Sequence, residues 1–222
     1  ILIIIIVLFL CLFLIGNVQK TLGQKKVKYS DERPNIIFIL TDDQRWDALG
    51  FAGNPIIKTP NIDGLARGGI YFKNAFASTP ICAASRASLF TGLYERTHDY
   101  TFGKLPLSNQ YMLESYPYLL RKAGYQTGFV GKFGVKVNKG IESAMFSVSK
   151  QTAWPYIKEI DGKKIHLADI NGNHAIDFIQ SNKDQPFCLS LSFWSPHADD
   201  DSKEQYFWPS YCDSLYTDAR IP

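Results

Sequence analysis

The sequence lacks an excess of charge of either sign. Lys plus Arg is 24 and Asp plus Glu is 21, so the formal balance is 24 − 21 = +3. No basic block stands out, which argues against a nucleic-acid binder. No internal repeat is visible, which argues against a solenoid or propeller. Cysteine is scarce. Beyond the first fifteen residues there are three: Cys82, Cys188 and Cys212. Three are too few for a disulfide scaffold, and an odd number leaves at least one thiol unpaired. Spacing alone does not decide whether Cys188 and Cys212 pair. No CxxC occurs, so the usual structural zinc pattern is missing. What is present is globular in proportion, with 45% hydrophobic and 20% charged residues. That excludes a disordered or collagen-like chain. A length of 222 residues supplies one domain with a substantial core, or part of a larger one.

Residues 1–15 form an apolar run without a charge, ended by Gly16 and Asn17. That length fits the apolar region of a signal peptide and falls short of the roughly 20 residues of a spanning helix. Residues 1–22 are therefore expected to be a signal peptide or membrane anchor. Residues 23–33 read as a linker, and residues 34–222 as the globular part. The expected location is exported: periplasmic, secreted or membrane-anchored. The alternative for the run is a buried core strand or helix.

Beyond the linker, strand and helix patterns alternate. Residues 35–40 (NIIFIL) are a short apolar run, as in a strand buried on both faces. Thr59-Pro60-Asn61 opens a helix that Gly68-Gly69 ends. Residues 70–77 alternate loosely and read as a strand. A helix is expected after Cys82, stopping at Thr91-Gly92. Another covers residues 116–122 and is closed by Gly124. Strands are expected at 126–130 and 187–193, with a helix at 174–180 between them. Residues 133–166 are less regular and suit loops or a small hairpin. The alternation predicts an α/β fold around a mainly parallel sheet flanked by helices.

Ligands of open α/β sheets bind beyond the carboxyl ends of the strands. Asp42 and Asp43 follow the first strand, Lys132 follows the strand at 126–130, and His197 follows the last. Cys82 follows the expected strand at 70–77 and opens a helix. Adjacent carboxylates need a cation, either a basic neighbour or a hard divalent ion such as calcium or magnesium. The alternative for Asp42 and Asp43 is a helix N-cap pair. Cys82 sits where helix N–H groups favour an anion, and Arg86 faces the same side one turn on. The alternative is an ordinary buried cysteine with a surface arginine. His98 reads as a loop histidine or a pocket residue. His166 and His174 are expected at the surface, and Asp199-Asp200-Asp201 as a solvated acidic loop. Trp194, Phe207 and Trp208 suit stacking on a sugar ring or packing in the core.

Cys82-Ala83-Ala84-Ser85-Arg86, continuing through Leu89 to Thr91-Gly92, resembles the sulfatase signature. RPNIIFILTDDQRWDALG (residues 33–50) and TPNIDGLARGGIYFKNAFAS (59–78) are similar to two further blocks of that family. TGFVGK (127–132) and SPH (195–197) match two short ones. The resemblance spans residues 33–208. It implies an alkaline-phosphatase-like fold, of which this chain is expected to be the N-terminal portion. It implies that a formylglycine-generating maturation enzyme oxidises Cys82 to formylglycine. A hydroxyl of the hydrated aldehyde then attacks sulfur and expels an alcohol, and the second hydroxyl drives out sulfate. The metal, by resemblance Ca2+ with Mg2+ as the alternative, acts as a Lewis acid.

Carried over residue by residue, Asp42, Asp43 and modified Cys82 match metal ligands. Arg86 matches the residue that steadies the modified side chain. Lys132 matches the lysine that neutralises sulfate oxygens. His197 matches a histidine near the ester oxygen, the leaving-group acid. The family usually has His two residues after the lysine, where this chain has Gly134. Its later metal-ligand pair and second lysine have no match before Pro222. The implied substrate is a sulfated small molecule or glycan. Two rival readings are a phosphonate or phosphodiester hydrolase of the same superfamily, and a non-catalytic, membrane-tethered binding protein.

Overall fold

The computed structural model describes residues 33–220. The expected export segment and nearly all of the linker lie outside the described residues. Six strands occur there: β1 (Ile36–Asp42), β2 (Gln126–Gly131), β3 (Val148–Gln151), β4 (Ile157–Ile160), β5 (Lys163–His166) and β6 (Phe187–Pro196). Seven α-helices accompany them: α1 (Pro60–Gly68), α2 (Cys82–Thr91), α3 (Glu95–His98), α4 (Asn109–Met112), α5 (Tyr116–Lys122), α6 (Ile141–Met145) and α7 (Leu167–Asn182). The main sheet has the order β1-β6-β2-β3, and every pairing in it is parallel. β4 and β5 form a separate antiparallel hairpin. The expected parallel α/β architecture is present.

The sheet is covered on both faces where β2 and β6 run. Phe129 of β2 packs with Ala83, Ala87 and Phe90 of α2 and with Phe133, Met145 and Phe146. Its neighbour Val130 points the other way, to Ala175 and Phe178 of α7 and Leu189 and Leu191 of β6. Period-two alternation thus feeds two cores from one strand. Burying a side chain such as Phe129 contributes roughly 2–3 kcal/mol.

Three expectations differ from the structure. β1 is not buried on both faces: Ile37 and Ile39 are about half exposed, at 48% and 53%. It is the edge of the described sheet, and α7 packs on β6 and β2. Residues 70–77 are irregular rather than a strand, with Phe72 and Phe76 exposed. A strand needs a hydrogen-bonding neighbour, and this segment pairs with none of the described strands. Cys82 therefore follows a loop, and three strands rather than four feed the rim. The helix expected at 174–180 already begins at Leu167, because the His166 side chain caps it by accepting from the Ala168 N–H at 3.1 Å. Residues 133–166 do contain the small hairpin, and also β3, an exposed edge strand that is polar apart from Val148.

Register brings the functional strand ends level. Gly131 of β2 and Leu40 of β1 both lie opposite Ser192 of β6. After an irregularity in β1, Asp42 lies opposite Pro196, next to His197. Asp42, Lys132 and His197 thus leave the sheet at one carboxyl-end rim.

Candidate active site

α2 reaches this rim because its sequence lets it lie close to the sheet. Ala83, Ala84 and Ala87 are small and buried, and Phe90 anchors the far end. Gly92, left-handed at φ 70°, ends the helix with its N–H on the Ser88 carbonyl. At the other end Cys82 is the first helical residue, half-buried and without a disulfide. No side chain caps this terminus, so its N–H groups remain available to an anion.

One turn on, Arg86 is buried at 3% exposure. Its Nη1 donates to the Lys132 carbonyl at 2.7 Å and to Ser192 Oγ at 2.6 Å. Its Nη2 lies 3.6 Å from Asp42 Oδ1. Nε and Nη2 make no hydrogen bond. Burial pushes the guanidinium below its usual value, while Asp42, Cys82 and Asp43 pull it back up.

Asp42 is buried, and Lys132 Nζ contacts its Oδ2. The carboxylate therefore sits between two cations. The Lys132 ammonium also lies 4.5 Å from the centre of the Trp194 ring, a cation–π contact. Lys132 is delivered by a tight crossing: its N–H donates to the Ser192 carbonyl at 2.9 Å. Gly131 before it has φ +101°, and a Cβ there would stand 1.8 Å from the Ser192 oxygen. Only glycine fits.

Asp43 turns the chain out of β1 at φ 59°, a left-handed conformation that Asp tolerates. Its side chain is 66% exposed, with Oδ2 3.7 Å from His197 Nε2. His197 Nδ1 contacts the Ala198 carbonyl. A carbonyl only accepts, so Nδ1 carries a proton, and Nε2 is left on the side of Asp43. The Tyr156 hydroxyl donates to the His197 carbonyl, and burial pushes that phenol up to about 12.

The structure thus joins Asp42, Arg86 and Lys132 in one buried network and sets the Asp43–His197 pair beside it. Cys82 lies on the face of α2 that carries Arg86. Arg86 feels Cys82, Asp42 and Asp43 together. Among the described residues no group of three or more His, Cys, Asp and Glu side chains is arranged to hold a metal ion. Two carboxylates are the right donor type for a hard cation, and the exposed Asp43 is open to one. They are fewer than the 6–8 oxygens calcium takes, so the donors present fit part of a site.

Other candidate residues take definite places, some against expectation. His98 is buried, with Nδ1 accepting from the Tyr100 N–H at 3.1 Å and Nε2 3.0 Å from Ser88 Oγ. It is a structural histidine. His166 is buried rather than superficial, and His174 is half-buried. Asp199 is buried too, because its carboxylate folds back onto the Asp201 N–H. Cys188 and Cys212 are unpaired. Gly134 has φ +68°, and a Cβ there would fall 2.6 Å from Arg86 Cδ. The arginine stem occupies the space that a side chain at 134 would need.

Ser192 and Trp194 are the site-building residues that sequence reasoning missed or left open. Ser190 and Ser192 alternate through an apolar strand and point to the α2 side. There they hold Tyr116, at 2.7 Å, and Arg86. Hydroxyls at period two in a buried strand are a readable signal for buried polar partners.

The Sulfatase family model matches residues 34–219. An N-acetylglucosamine-6-O-sulfatase of Bacteroides thetaiotaomicron is 32% identical over 179 residues, covering 77% of this chain and 32% of that protein. A solved structure of a protein in complex with its substrate D-glucosamine-2-N,6-O-disulfate is 30% identical, with a TM-score of 0.64. That match covers 75% of this chain and 35% of the other. A putative sulfatase from Bacteroides fragilis aligns with a TM-score of 0.70 at 23% identity, over 87% of this chain and 50% of that one. The chain spans between about a third and a half of the length of the first curated relatives it matches.

Proposed function

The chain belongs to the sulfatase family, and from that premise we propose that its protein hydrolyses sulfate esters of carbohydrates. The observation that carries the reading is the buried Asp42–Arg86–Lys132 network at the carboxyl rim, against the helix that Cys82 opens. The names of the relatives support a carbohydrate substrate. Export fits the apolar run at residues 1–15.

Cys82, once oxidised to formylglycine by a maturation enzyme, supplies in its hydrated form the hydroxyl that attacks sulfur. Asp42 and Asp43, with modified Cys82, would hold part of the shell of a Ca2+ or Mg2+ ion, which when bound supplies Lewis-acid activation. The remaining work falls to groups of this chain. Sulfuryl transfer gathers negative charge on oxygen. Lys132 and the free N–H groups of the α2 terminus are preorganised cations and dipoles for it. His197 donates a proton from Nε2 to the departing alkoxide. Asp43 Oδ2 lies 3.7 Å from that nitrogen. Arg86 fixes Lys132 through its backbone carbonyl and fixes Asp42 through charge.

The test is turnover of an aryl sulfate and an N-acetylglucosamine 6-sulfate by the full-length protein, matured in the cell. Cys82→Ala is expected to abolish both. Unchanged turnover in that variant would refute the reading.

A further inference from the structure

A second cleft lies away from the carboxylate pair, between the β4–β5 hairpin, the start of α7 and residues 204–213. Its volume is about 830 Å3, within the range of small-molecule sites. We propose that it is a subsite for an unsulfated sugar ring of the same glycan. The proposal deepens the sulfatase reading and rests on it for the substrate being a glycan.

Four observations carry it. The first is a set of aromatic rings held in place. Trp208 and Tyr211 are 55% and 70% exposed, yet their polar ends are tied down. The Trp208 indole N–H donates to Asp213 Oδ1 at 2.8 Å, and the Tyr211 hydroxyl to Asp169 Oδ1 at 3.0 Å. Tethered rings with open faces suit stacking on the C–H face of a sugar at little entropic cost.

The second is a wall residue without positive charge. His166, 3% exposed, lines the cleft, and its Nδ1 accepts from the Ala168 N–H. Burial lowers its pKa against the opposing pull of a hydrogen bond to the Phe207 backbone and of Asp169, so the ring adds no cation to the cleft.

The third is charge. Asp169, Glu204 and Asp213 line the cleft against the single cation Lys164. Carboxylates accept from sugar hydroxyls and repel a sulfate, so this cleft selects the ring that carries none.

The fourth is continuity with the reaction centre. Phe207 at the cleft wall stacks on Tyr156 at 6.0 Å, and Tyr156 donates to the His197 carbonyl. The cleft wall and the rim thus share one packed chain of side chains.

The experiment uses the full-length protein and an unsulfated N-acetylglucosamine disaccharide, followed by NMR titration of the tryptophan indole signals. The Trp208 signal should shift on binding. Trp208→Ala should weaken binding roughly tenfold, as expected for one lost stacking contact. Inorganic sulfate should not displace the disaccharide. Wild-type affinity in Trp208→Ala would overturn the proposal, as would displacement by inorganic sulfate. Trp208-dependent binding in a protein that turns over no sulfate ester would uphold the subsite and refute the sulfatase reading instead.

Discussion

Arg86 donates to the backbone carbonyl of Lys132 at 2.7 Å, from a helix into the end of a neighbouring strand. The same guanidinium nitrogen reaches Ser192 Oγ on the next strand. One side chain therefore ties α2, β2 and β6 together where the proposed chemistry occurs. Its burial follows from this: the guanidinium finds its oxygen partners inside the protein.

Ser192→Ala removes one of the two oxygen acceptors of Arg86 Nη1 inside the protein. The expected loss is about 1–3 kcal/mol, the cost of a buried charged donor left short of a partner. Urea unfolding of variant and wild type measures it. A change within experimental error would show that the Ser192 contact contributes nothing.

Asp42→Asn should be worse. Asp42 and Lys132 have side chains only 7% and 9% exposed, so the substitution leaves Lys132 and Arg86 buried without a counter-charge. Removing one partner of such a pair costs roughly 3–5 kcal/mol. The double variant Asp42→Asn, Lys132→Met should regain part of the loss. A double variant no more stable than Asp42→Asn would mean that the pair is not coupled.

Gly134→His should fail as a repair of the family pattern. The Cβ would press on Arg86 Cδ at 2.6 Å in a backbone conformation that favours glycine. Lower stability and lower sulfate-ester turnover are expected together. A rise in turnover would contradict the account of Arg86.

Stability should fall on mild acidification. Burial lowers the pKa of both His98 and His166 below the ordinary value of 6.5, against the opposing pull of nearby carboxylates and, for His166, first of a hydrogen bond to the Phe207 backbone. The unfolded chain therefore takes up protons first as pH falls. The stability from these neutral rings is complete above 6.5 and is lost as pH drops through their folded values. Chemical denaturation at pH 7.5 and 5.5 should show the decrease, and His98→Asn should show a smaller one. An equal decrease in that variant would remove His98 from the explanation.

Much of this was readable in advance where local signals agree. Residues 116–122 fold as the expected helix because Ser115 and Pro117 mark its start and Gly124 follows its end. α2 stops at Gly92 for the same kind of reason. What could not be read depended on neighbours. Residues 70–77 carry strand-like side chains but no pairing partner among the described strands. β3 is a strand only because β2 lies beside it, since its four residues are exposed and polar or small apart from Val148. Asp42, Lys132 and His197 were legible as strand-end residues. Their ion pairs, and the part played by Ser192, required the register of β6 against both neighbours.

The central claim is that Cys82 becomes the nucleophile, and the most direct measurement is the mass of the peptide that contains it. The protein is expressed with and without a formylglycine-generating enzyme, beside a substrate known to be converted. The account predicts an aldehyde in place of the thiol only when that enzyme is present. An unmodified Cys82 thiol, with the control converted, would contradict it.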